Sequence, residues 1–128
     1  MAVLKPSGVQ IINEASVAAS TATVVGDCTN SDLTKATSWC ITVVATFNAL
    51  ATGGIEVTLR PTYDGTNFDT AAWADWTWTV DCSAGNTVRR TSEALSTIPK
   101  GCKVICENKD ASYAVTNLAV YAVVQTAG

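Results

Sequence analysis

The chain contains no histidine. That one absence removes histidine-based nucleophilic triads, histidine general acid–base catalysis and the usual zinc and iron ligand sets. Charge is scarce too, at 15% of residues, against about 25% in average soluble chains. Lys and Arg number 8 against 11 Asp and Glu, for a net charge of -3. The basic footprint of a nucleic-acid binder is therefore missing. No apolar run approaches the roughly 18–20 residues of a membrane-spanning helix. Met1 to Gly8, MAVLKPSG, holds no apolar h-region, so no cleaved signal peptide is expected. There is no Asn-x-Ser/Thr sequon and no Cys-x-x-Cys spacing. The cysteines number 5, an odd count, which argues against a secreted disulfide scaffold. They are expected as reduced, small apolar fillers; Cys28–Cys40 and Cys82–Cys102 are the pairs weighed for an oxidising setting.

What is present is apolar and β-branched. The 128 residues are 48% hydrophobic, enough for one domain with a buried core. Thr, Val, Ala and Ser dominate, and period-two alternation recurs. Trp39, Ile41, Val43, Ala45 and Phe47 share one face of a strand. Ile55, Val57 and Leu59 share a face, with Glu56, Thr58 and Arg60 opposite. The run Tyr113 to Val124 is apolar on both faces, as in a central or interface strand. Turn signals at Gly26-Asp27, Gly53-Gly54, Asp64-Gly65, Ala84-Gly85-Asn86, Pro99-Lys100-Gly101 and Lys109-Asp110 separate the runs. About eight strands are expected, over residues 9–13, 16–25, 38–49, 54–63, 71–80, 86–93, 102–108 and 113–125. The fold class is all-β, an antiparallel jelly-roll-like β-sandwich. Residues 9–128 form its single domain, and residues 1–8 are expected as a short extended N-terminal arm. Leu95 to Pro99 reads as a crossing loop.

Several constellations invite chemistry and are answered by structure. Asp64, Asn67 and Asp69 offer oxygen ligands, but they lack the spacing and distal Glu of a calcium loop. An Asp-Gly turn whose short side chains bond the backbone is the better account. Cys102 and Cys106 fall on one strand face about 13 Å apart, too far to share a bond or a metal. Glu56, Asp75, Glu93 and Glu107 alternate with apolar residues, as solvated faces do. Trp76 and Trp78 share parity with Val80 and are expected at the centre of the core, with Ile41, Val43, Phe47, Val57, Leu59, Val104, Leu118 and Val120. Trp73 has the opposite parity and is expected at the surface, as a contact or a partner interface.

The run Val57 to Thr70, with Tyr63-Asp64-Gly65-Thr66-Asn67-Phe68-Asp69 at its turn, resembles a hairpin of small β-sandwich proteins of tailed-phage virions. The closing runs Ile98 to Asp110 and Val115 to Val120 are similar to their last strands, so the likeness covers residues 54–125. The family includes capsid decoration (cement) proteins and tail or fibre sandwich domains. The resemblance implies a non-enzymatic structural protein without cofactor or metal, made in host cytoplasm and carried in the virion. Its implied partners are further copies of itself, as a trimer, and the major capsid protein, with no nucleic acid and no membrane. A carbohydrate-binding sandwich of a phage tail fibre, or an accessory binding module, is the alternative. An enzyme with an acidic site is the remote third reading. The candidate partner-binding residues are Val3, Leu4 and Pro6 of the arm, Trp73, and Tyr113 and Tyr121 of the last run.

Overall fold

The computed structural model describes residues 4–20, 22–28, 36–64, 66–70, 76–93, 95 and 101–127. These form eight strands: β1 (Leu4–Val17), β2 (Thr23–Cys28), β3 (Ala36–Thr46), β4 (Ile55–Thr62), β5 (Thr77–Val80), β6 (Thr87–Thr91), β7 (Gly101–Asn108) and β8 (Val115–Ala127). There is no helix among the described residues. A first sheet has the order β1-β8-β3-β6 and a second the order β2-β7-β4-β5. Every pairing is antiparallel. The pairs are nested: β1 with β8, β2 with β7, β3 with β6, and β4 with β5. The chain runs out and back as one long hairpin, divided between two layers.

Alternation decides what each layer buries. Trp39, Ile41, Val43, Ala45 and Phe47 of β3 are buried, as are Leu118, Val120, Ala122 and Val124 of β8. From the second sheet come Ile55, Val57 and Leu59 of β4, Val80 of β5, and Cys102, Val104 and Cys106 of β7. Burial pushes the Cys106 thiol up to about 12 and keeps it protonated, an inert filler. Alternation alone does not explain β8, where Val115 and Leu118 are both buried. An extra residue enters β8 there: Val44 pairs with Ala119, yet Thr46 pairs with Thr116. Asn117 takes a left-handed conformation at this bulge, with φ 51, one that Asn tolerates better than most residues.

A second bulge lies in β1, where Gln10 pairs with Tyr121 and Ile12 with Val120. Its extra residue, Ile11, places its carbonyl oxygen against the backbone of Gly26 in β2. A Cβ on Gly26 would overlap that oxygen and lie 2.6 Å from Ile12 Cγ1. Glycine is thus required where the two layers touch at their β1–β2 corner.

Four expectations change. Leu4 to Gly8 is not a separate arm: it is the start of β1, paired in register with Val123 to Ala127 of the same chain. The expected break after Asn13 is absent, because Glu14 and Ser16 continue the ladder to Leu118 and Thr116. Of the strand expected over residues 71–80, Thr77–Val80 forms β5 and Trp76 lies before it, while residues 71–75 lie outside the described residues. The tryptophan at the centre of the core is Trp39, 1% exposed. Trp76 and Trp78 pack against the core but are only half-buried. Trp78 does face inward with Val80, but its strand is four residues long and forms a sheet edge, so one flank stays open.

This ordering of the tryptophans is measurable. Trp39→Ala should destabilise the fold by about 3–5 kcal/mol in urea titration, as fully buried aromatics do. Trp78→Ala should cost clearly less. The reverse order would invert the packing described here.

Candidate interaction surface

Residues directly opposite on neighbouring strands share a face. On the outer face of the first sheet, Cys40 stands opposite Val123, Thr42 opposite Tyr121, and Val44 opposite Ala119. All but Thr42 are half-buried; Thr42 is buried, held by a 2.9 Å hydrogen bond between its hydroxyl and that of Thr91 on β6. Farther along, the hydroxyls of Thr46 and Thr87 bond at 2.7 Å. The Arg89 guanidinium lies 5.9 Å from the centroid of the Tyr121 ring, a cation–π contact. The result is a mildly apolar plate of Cys40, Val44, Ala119, Tyr121 and Val123, with threonines and one arginine along the β6 side.

Tyr121 stands on this plate, and the register puts Leu4 and Pro6 on the same face of the sheet farther along β1. Tyr113 is elsewhere: it precedes β8 and packs against the core. Leu4 and Pro6 stand in the ladder opposite Ala127 and Gln125. Val3 and Trp73 lie outside the described residues.

The Asp64 turn forms as its residue types suggest. Asp64 Oδ1 accepts from the Thr66 and Asn67 amides and the Thr62 hydroxyl, at 2.8, 2.7 and 3.0 Å. Asp64 Oδ2 accepts from Asn67 Nδ2 at 2.8 Å. These donors, the Asn67 amide first, hold its carboxyl well below the usual carboxylate range. The turn is the first part of a long β4–β5 connection rather than a two-residue hairpin. It presents Tyr63, 57% exposed, and Phe68, whose ring centroid lies 4.6 Å from Lys103 Nζ.

A carboxylate that the sequence marks only as part of a turn proves central to the structure. Asp110 is buried at the end of the sandwich. Its Oδ2 accepts from the amides of Thr52 and Gly53 at 2.7 and 2.9 Å. Its Oδ1 accepts from those of Ser112 and Tyr113 at 2.9 and 2.8 Å. Beside it, buried Asn108 donates through Nδ2 to the carbonyls of Val17, Ala18 and Tyr113 at 3.2, 3.2 and 3.1 Å. Asn108 Oδ1 accepts from the Asp110 amide at 3.0 Å. The two side chains tie the β1–β2, β3–β4 and β7–β8 connections together. Every lobe of the Asp110 carboxylate is occupied by a backbone donor, so it works as a structural anchor and not as a base. Cys82 feels its charge: burial first, and then Asp110, push that thiol up.

Among the described residues, no group of three or more His, Cys, Asp or Glu could hold a metal ion. No protein-family model matches the chain, no curated protein matches its sequence, and no solved structure matches it.

The four amides, that of Gly53 foremost, hold the Asp110 carboxyl well below the usual carboxylate range. A carboxyl depressed in the fold contributes stability above its unfolded value, about 3.9, and loses it as pH falls toward the folded value. Wild-type stability in urea should therefore decline as pH drops below about 4. Asp110→Asn, which cannot accept from all four amides, should be less stable near pH 7. The gap between the two proteins should close as the medium is acidified. A gap independent of pH would show that the carboxylate charge is not what holds these loops.

Proposed function

We propose that the chain is a jelly-roll subunit of a phage virion, a capsid decoration (cement) protein that stabilises the shell by bridging capsid subunits. The observation that carries this reading is the nested pairing, β1-β8-β3-β6 over β2-β7-β4-β5. That is the order obtained when one eight-stranded hairpin rolls into two Greek keys, an architecture used in viral capsids and lectins. Low charge and the apolar plate around Tyr121 suit a subunit that buries outer sheet surface against neighbours. In this role the protein is non-enzymatic, needs no cofactor, and resides in the virion. Its partners are further copies of itself and the major capsid protein.

Particles from the host that carries the gene test this. The protein should co-band with density-purified virions, and particles made without it should lose integrity at lower temperature. Its absence from purified particles would overturn the reading.

Exposed Tyr63, together with the Phe68 ring that Lys103 covers, favours a second reading: a carbohydrate-binding sandwich of a tail fibre or accessory module. Oligosaccharide retained by the wild type on a glycan array, and lost in Tyr63→Ala, would support that reading over the first.

A further inference from the structure

The outer face of the second sheet carries its charge in rows. Lys103 of β7 stands between Arg60 of β4 and Asp27 of β2. Two residues along, Ile105 lies between Val25 of β2 and Thr58 of β4, and Thr77 of β5 extends that row. Two residues further, Glu107 stands opposite Glu56, with Thr23 and Thr79 on either side. A row of net positive charge, an uncharged row and a negative row follow one another at intervals of about 7 Å along the strands.

Between β7 and β4 each charged row sets like charges directly opposite each other, which is unfavourable in an isolated sheet, although Asp27 stands on the other side of Lys103. Relief within the chain is partial. Lys109 reaches Glu107 at 3.6 Å from beyond the strand, and the Phe68 ring holds the Lys103 ammonium at its end of the face. Glu56 and Arg60 have no ion-pair partner among the described residues. The middle row ends in Val25, which is 55% exposed. Local rules only partly compensated inside the chain point to something outside it.

We propose that this face is the contact between two copies of the chain, related by a two-fold axis along the Val25–Ile105–Thr58 row. Rotation about that axis reverses the strand direction and exchanges the charged rows. Lys103 then meets Glu107 of the second copy, and Arg60 meets its Glu56. Val25 and Ile105 meet their own counterparts at the axis. An isologous contact requires this kind of self-complementarity. A two-fold axis parallel to the strands would set positive on positive, so the charges also select the orientation. A nucleic acid or anionic membrane would call for one sign of charge, whereas a second copy supplies both signs in the matching order. The inference rests on the reading of the chain as a self-associating subunit. It specifies a two-fold pair where the sequence led to a trimer.

The test is the solution mass of the full chain by light scattering, in low and high salt, for the wild type and two charge-reversed variants. The wild type should have twice the chain mass in low salt and dissociate as salt rises. Glu56→Lys with Glu107→Lys makes both rows positive; Arg60→Glu with Lys103→Glu makes both negative. Each variant alone should associate at least ~100-fold more weakly, since every opposed pair becomes repulsive. An equimolar mixture of the two should recover a pair, because each then supplies the sign the other lacks. Circular dichroism confirms that each variant is folded before mixing, and Val25→Asp, a milder change at the axis, should also weaken the pair. A wild type of one-chain mass, a trimer indifferent to charge reversal, or folded variants that do not recombine would each overturn the proposal. Variants that associate like the wild type while the protein still co-bands with virions would sink the two-fold face alone. Recombining variants with no virion association would sink the virion reading alone.

Discussion

The Asp110 carboxylate is the constraint on which the rest of the sandwich hangs. Apolar burial drives the two sheets together but is non-directional, and many offsets between layers would bury similar area. Asp110 and Asn108 remove that freedom. Between them they satisfy backbone groups of Val17, Ala18, Thr52, Gly53, Ser112 and Tyr113, drawn from three connections that cross or cap the layers. No buried side-chain polar atom among the described residues lacks a partner. A fully satisfied polar cluster of this kind specifies one arrangement, because shifting any loop strands a buried donor or acceptor.

With the interior filled and anchored, the chemistry available to partners lies on the outside. Three of the four edges are poor sites for strand addition. β1 carries Lys5, Pro6 and a bulge, β5 is only four residues long, and β6 holds Arg89 and Arg90. These are the usual devices against edge-to-edge pairing. The sheet faces are different in kind. One presents the Tyr121 plate, and the other the charge rows around Ile105. In the proposed role, joining its own copies and a shell, each of two unlike faces has a use.

Much of the sandwich was legible in the sequence because alternation reports burial directly. β3, β4, β6 and β7 fall where the period-two runs and turn residues put them, and the inner set Ile41, Val43, Phe47, Val57, Leu59, Val104, Leu118 and Val120 is buried. What sequence could not supply is register and neighbourhood. Trp39 and Trp78 both sit at inward positions, and only the strand order reveals that one lies in an inner strand and the other at an edge. Lys109-Asp110 reads as a turn, yet the amides that Asp110 accepts from at Thr52 and Gly53 are 58 and 57 positions away. Leu4 to Gly8 reads as an arm because Pro6 and Gly8 interrupt the alternation, although a sheet edge tolerates both. Glu56 and Glu107 each read as solvated, and their opposition appears only when β4 and β7 are set side by side.

The proposed pairing runs through the outer face of the second sheet. It is tested most directly by methyl NMR spectra of the intact protein across a dilution series. The Val25 and Ile105 methyls should shift together with a single dissociation constant, while those of buried Val43 and Val57 stay fixed. Val25 and Ile105 signals that do not change with concentration, or shifts confined to Val44 and Val123 on the opposite sheet, would contradict the account.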